Sequence, residues 1–137
     1  MTPDDLARLH AAAFGQDRPW SADEFAALLD GPGVVLLGDR HAMLLGRITL
    51  DEAEILTLAT HPDHQRQGRA ASLLAAFHLE AAGRGALRAF LEVAEDNQPA
   101  RALYDAQGYA VAGRRPAYYL RPGAPPAAAL VMARAVP

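Results

Sequence analysis

Thr60-His61-Pro62-Asp63-His64-Gln65-Arg66-Gln67-Gly68-Arg69-Ala70 stands between two segments of different hydrophobic period. Before it, Glu54-Ile55-Leu56-Thr57-Leu58-Ala59-Thr60 is rich in branched residues and reads as a strand. After it, Ala70, Leu73, Leu74, Phe77 and Ala81 recur at the spacing of one helix face, and Gly83 closes the run. Pro62 stops the strand, and Gly68 permits a turn that aims successive backbone N–H groups inward. The dipole of the following helix adds about half a positive charge at its N-terminus. A site for a pyrophosphate results, with Arg66 and Arg69 available for further charge. An ordinary strand-to-helix turn with solvated arginines is the alternative.

Upstream, Thr2-Pro3-Asp4-Asp5 places an N-cap and an N1 proline before a helix that runs to about Phe14. A second helix starts at Ser21, with Glu24 completing a capping box and Trp20 and Phe25 spaced as a hydrophobic staple; Asp30-Gly31-Pro32-Gly33 ends it. Val34 to Leu37, Ala42 to Leu50 and Glu54 to Thr60 form an antiparallel meander. Downstream come a strand from Leu87 to Val93, a helix from Pro99 to Gln107 closed by Gly108, and a strand from Tyr109 to Ala112. Arg121-Pro122-Gly123-Ala124-Pro125-Pro126 reads as a loop before a last strand from Ala128 to Ala133. The order predicts an α/β fold with a mixed sheet flanked by helices.

A length of 137 residues predicts one domain over 1–137, and an apolar fraction of 51% excludes a disordered chain. The absence of cysteine excludes disulfides, thiolate zinc sites and a cysteine nucleophile. All 13 basic residues are arginine, which excludes a phosphate-loop lysine, a Schiff base and a lysine general base. A net charge of −3 argues against nucleic acid as a partner. No apolar run approaches the ~20 residues needed to span a membrane, and the acidic start is unlike a signal peptide. A soluble cytoplasmic protein is expected. His61 and His64 have metal-like spacing without a third ligand, so they are read as loop residues and no metal is expected.

Gln65-Arg66-Gln67-Gly68-Arg69-Ala70 matches the Gln/Arg-x-x-Gly-x-Gly/Ala signature of the GNAT acyl-CoA N-acyltransferases, and the surrounding element order is similar to theirs. The resemblance implies a GNAT-like mixed, splayed β-sheet flanked by helices and acetyl-CoA as acetyl donor. Main-chain groups of Leu58, Ala59 and Thr60 would line the pantetheine arm and the acetyl group. Arg66, Gln67, Gly68, Arg69, Ala70 and Ala71 would surround the pyrophosphate. The family's usual first edge strand is expected to be absent, because the chain opens directly on Thr2-Pro3-Asp4.

The block Phe90-Leu91-Glu92-Val93-Ala94-Glu95-Asp96-Asn97, continuing through Ala102-Leu103-Tyr104 to Gly108-Tyr109, resembles the RimI-like ribosomal-protein-alanine N-acetyltransferases of the same superfamily. That resemblance implies contact of Asn97 with CoA, Glu92 as proton acceptor, Tyr104 as proton donor, and Tyr118 and Tyr119 shaping the peptide end of the site. Each has a plainer reading: Asn97 as a helix cap, Tyr104 as core, Glu92 as a solvated strand end. A charge at Glu92 in a central strand needs a reason, and Glu54 is the competing base. Neighbours on a strand face opposite sides, so one of the paired tyrosine rings is expected in the core and the other over the acceptor cleft. The implied activity is direct acetyl transfer to a primary amine, a protein N-terminal α-amine in the first instance. A small-molecule amine or a lysine side chain is the alternative acceptor, and a non-catalytic acyl-CoA-binding module the alternative class. Polar and acidic residues usual after the paired tyrosines are replaced here by Arg121-Pro122-Gly123-Ala124-Pro125-Pro126-Ala127.

Overall fold

Two short helices open the chain, each started by a reciprocal side-chain cap. The computed structural model describes residues 1–14 and 18–137. Helix α1 (Pro3–Ala13) begins where the Thr2 side chain accepts from the Asp5 amide and the Asp5 carboxylate accepts from the Thr2 amide. Helix α2 (Ala22–Leu29) repeats the device with Ser21 and Glu24, and the Trp20 and Phe25 rings meet at 5.5 Å as the staple requires.

The sheet has six strands: β1 (Val34–Gly38), β2 (Ala42–Thr49), β3 (Glu52–Thr60), β4 (Arg88–Ala94), β5 (Ala110–Arg121) and β6 (Ala124–Ala135). Helix α3 (Arg69–Gly83) connects β3 to β4, and α4 (Gln98–Ala106) connects β4 to β5. Strand order is β1-β2-β3-β4-β6-β5, with β3 and β4 parallel and every other pair antiparallel. This is the mixed, helix-flanked sheet that the element order predicts.

One face of the sheet packs Leu44, Ile55, Leu91 and Met132 with Leu74 and Phe77 of α3 and Tyr104 of α4. The other packs Met43, Leu45 and Ala59 with Leu6, Leu9 and Phe25 of the first two helices. Between them β3 carries a bulge: Gly46 opposes Ile55 but Leu45 opposes Thr57, so Leu56 is the extra residue. The β3–β4 pairing is short. It runs from Glu52↔Arg88 to Ile55↔Leu91 and stops, whereas β4 stays paired with β6 as far as Ala94. The carboxyl ends of the two parallel strands therefore part, and the sheet is splayed there.

The last third differs from its sequence reading. Arg121 to Pro126 is not a loop, and the strands on either side are not short. β5 and β6 are 12 residues each and turn at Pro122-Gly123 alone, with Arg121 paired to Ala124. Proline first and glycine second, Gly123 at φ +72°, is the sequence a type II turn demands. Pro125 and Pro126 fall between the pairs Arg121↔Ala124 and Tyr119↔Ala127, where the register shifts and no ladder N–H is asked of them.

Candidate active site

At the end of β3, a single 3₁₀ turn (Pro62–His64) and a tight bend deliver the chain to α3. Arg66 and Gly68 both have positive φ, +62° and +75°, and Gly68 is the N-cap of α3. No side chain caps this helix. Its first intrahelical acceptor, the Gly68 carbonyl, takes the Ser72 amide at 3.0 Å, so the Arg69, Ala70 and Ala71 amides lie ahead of the ladder. A Cβ built on Gly68 would meet nothing within 4 Å, so its bare backbone faces open space. A cavity of about 230 Å³ opens beside it, lined in part by Gln67, Gly68, Arg69 and Ser72, by Gly38 at the end of β1 and by Asp39 of the turn that follows. Arg69 is held by Gln67 at 3.0 Å and approaches Asp39 at 3.9 Å. Donors, open backbone and a basic side chain meet here, as an anion site requires.

Leu58, Ala59 and Thr60 lie past the last β3–β4 pair, on the stretch of β3 whose β4-facing edge has no strand partner in the register. Ala59 is buried against the first two helices, and Leu58 packs on the α3 side. Asn97 caps α4, its side-chain oxygen accepting from the Ala100 amide at 3.2 Å, and it is exposed. Glu54 pairs with Arg47 at 2.9 Å, in the part of β3 still paired with β4.

Contacts link Glu92, Tyr118 and Tyr119 through one residue that the sequence reading did not single out. Glu92 forms an ion pair with Arg115 at 3.1 Å, and the Arg115 guanidinium carbon lies 5.5 Å from the centre of the Tyr118 ring. Tyr118 and Tyr119 touch edge to face at 5.1 Å, so their rings do not part to opposite sides as simple alternation predicts. The reason is a bulge between Arg115 and Tyr119, with Ala117 at φ +53°. Tyr104 is 7% exposed and stacks edge-on with Tyr109 at 5.9 Å. Burial, and then the nearby Tyr119 phenol, push the Tyr104 pKa far above its ordinary value. Arg114 pairs with Glu95, and Arg121 with Asp96 at 2.8 Å, fastening the β5–β6 hairpin to the loop after β4. Nothing local in the sequence marks these arginines; the available signal is the small Ala129, over which a long side chain from β5 can cross β6.

Among the described residues no group of three His, Asp or Glu side chains is placed to hold a metal ion, and no helix is long and apolar enough to cross a membrane. The sequence profile of the acetyltransferase (GNAT) family matches residues 6–109. The ribosomal protein bS18-alanine N-acetyltransferase of Escherichia coli is 34% identical over 125 residues, covering 86% of this chain and 82% of that protein. The crystal structure of the ribosomal-protein-S18-alanine N-acetyltransferase from Escherichia coli is similar at a TM-score of 0.87 and 29% identity, over 98% of this chain and 87% of that one. An uncharacterized protein of Mycobacterium leprae is 35% identical over 136 residues, which cover 90% of this chain; the chain spans 37% of that relative's length. With the profile matching well over half the residues and the fold shared across nearly the whole chain, this chain belongs to the GNAT acetyltransferase family.

Proposed function

We propose that residues 1–137 act as one catalytic domain, a cytoplasmic N-acetyltransferase that moves the acetyl group of acetyl-CoA directly onto the α-amine of a protein N-terminus. The carrying observation is that the uncapped start of α3 behind Gly68 adjoins the parted edge of β3 beyond Ile55. An anion cradle beside an open strand edge suits a ligand with a pyrophosphate at one end and an amide-bearing arm at the other. Arg66 through Ala71 hold the pyrophosphate, Leu58 to Thr60 hold the arm by main-chain groups, and Asn97 borders it from α4.

Acetyl-CoA supplies a thioester carbonyl open to attack by an amine. A backbone N–H among Leu58 to Thr60 donates to the oxygen on which charge develops. Glu92 takes the proton of the incoming amine, directly or through water. An α-amine needs little help: its pKa of about 7.7–8.0 against about 10.4 for lysine makes its reactive fraction a few hundred times larger at neutral pH. Tyr104 stays protonated throughout, since its pKa is raised by burial. It stabilises the departing sulfur by donating a hydrogen bond, and solvent completes the protonation of a thiolate whose acid has a pKa of about 8.5. Tyr118 and Tyr119 wall the acceptor slot.

The Escherichia coli relative is named for an alanine acceptor on a ribosomal protein, which supports an acceptor that begins with a small residue. Acetylation of an N-terminal peptide library, run beside polyamines, aminoglycosides and N-terminally blocked lysine peptides, tests the reading. Peptides with a free small N-terminal residue are the expected substrates; a small amine or a blocked peptide preferred over all of them overturns the acceptor.

A further inference from the structure

We propose that Arg115 is a positioning residue that aims the Glu92 carboxylate, an inference that rests on Glu92 being the proton acceptor. Nη2 of Arg115 lies 3.1 Å from Oε1 of Glu92. Glu92 is partly open to solvent, and an unrestrained carboxylate there would spread over several rotamers. A base has to present a lone pair along one direction, and the residues that do this work in known sites are themselves oriented by a third group. With Oε1 engaged by the guanidinium, Oε2 is the oxygen left to face the acceptor.

The backbone explains why the orienting group is an arginine from β5. Glu92 and Gly113 both oppose Val131, from the two sides of β6, and Arg115 opposes Ala129. A side chain from β5 must therefore cross a whole strand on a diagonal to touch Glu92. Buried Ala129, the β6 residue opposite Arg115 on that face, keeps the crossing low, and only a long side chain covers the distance. The bulge at Ala117 then turns Tyr118 back so that its ring lies against the guanidinium. Arg115 is fixed between a carboxylate and an aromatic face, whereas Arg114 and Arg121 pair with acids of the loop after β4 and hold the hairpin. In the step itself the proton leaves the α-ammonium nitrogen for Oε2 or a water held there. The electron pair it leaves behind forms the new bond to the acetyl carbon, the carbon–sulfur bond breaks to release the thiolate, and the second proton on the new nitrogen centre passes through solvent to that sulfur, leaving the amide and free CoA thiol.

A double-mutant cycle over Glu92→Gln and Arg115→Gln, with an alanine-starting peptide as acceptor, tests the inference. Arg115→Gln is expected to lower kcat by about tenfold or more, the effect of a misplaced reacting group. Peptide KM and acetyl-CoA Kd should stay within about twofold, since uniform binding is untouched. Arg115→Lys should recover part of kcat. In the Glu92→Gln background Arg115→Gln should add less than about twofold, because residues acting as one unit are not additive. Wild-type kcat in Arg115→Gln, or the same full loss repeated in the Glu92→Gln background, overturns the proposal while leaving Glu92 as base. Wild-type turnover in Glu92→Gln overturns the base assignment, and the proposal with it.

Discussion

The Tyr109 hydroxyl sits 2.7 Å from Nε2 of His78, joining the middle of α3 to the residue that leads into β5. Arg134 approaches the other ring nitrogen, Nδ1, at 3.5 Å and donates to the Gln107 carbonyl at 2.7 Å. A guanidinium only donates, so Nδ1 is the acceptor and Nε2–H donates to the Tyr109 oxygen. The arrangement wants a neutral ring. Burial, and then the Arg134 charge, bring the His78 pKa down to about 4.

Stability should therefore depend on pH in a window set by His78. The unfolded chain binds this proton near pH 6.5 and the folded chain near 4, so the unfolded state takes up protons first as pH falls. The contribution is complete above about pH 6.5 and is lost progressively down to about pH 4. Asp5 and Glu24, with pKa values of about 2 set first by the Thr2 backbone and by Arg18, lose theirs at lower pH. Thermal unfolding of the wild type and His78→Phe across this range checks the assignment: the variant should show a flatter fall in Tm between pH 6.5 and 4. Parallel curves would assign the slope to other groups.

Gly68→Asp should abolish the stabilisation by acetyl-CoA. The wild type at about 100 times its Kd gains ~2.7 kcal/mol. The variant puts a carboxylate on the bare backbone of the cradle, at a φ of +75° that side chains disfavour. Because a Cβ there meets nothing within 4 Å, lost binding cannot be put down to a packing clash. Ligand-induced Tm shifts measured on both proteins decide it, and an undiminished shift removes the loop from the binding site.

Gly46 has a different reason for being glycine. A Cβ built on it lies 2.4 Å from Cε1 of Phe77 and 3.0 Å from the Glu54 carbonyl oxygen, so β2 and α3 are in contact through a bare backbone. Gly46→Ala should cost about 1–3 kcal/mol in urea unfolding, the range for overpacking a core. Adding Phe77→Leu should return part of that loss; an alanine variant as stable as the wild type would mean that α3 shifts freely on the sheet.

Helix starts were legible because capping is local: Ser21 and Glu24 are three residues apart and carry their own geometry. The cradle was legible for a similar reason, since Gly68 and the α3 face announce themselves within twenty residues. The hairpin was not. Pro122 to Pro126 looks like a breaker until one knows that it ends an outer hairpin, where a Pro-Gly turn and prolines between register points cost nothing. Nor was the meeting of Arg115 with Glu92 readable, because β6 is inserted between β4 and β5 and the Ala117 bulge carries a positive φ on an ordinary residue.

Tyr104→Phe keeps the ring that packs against Tyr109 and deletes the hydroxyl. Acetyl-CoA affinity and Tm should survive, while kcat falls by roughly 10²-fold, the range for acid–base groups. Steady-state kinetics beside a binding isotherm separate the two effects. Unchanged kcat would return Tyr104 to the core as a purely structural residue.

Transfer to an α-amine is read out directly by the position of the acetyl group on a product. An alanine-starting peptide that also carries an internal lysine, incubated with the enzyme and acetyl-CoA, can be fragmented in a mass spectrometer to locate the added group. Acetyl is expected on the N-terminal alanine, with a steep loss of rate when that amine is blocked. Acetyl on the lysine, or an undiminished rate with the blocked peptide, would contradict it.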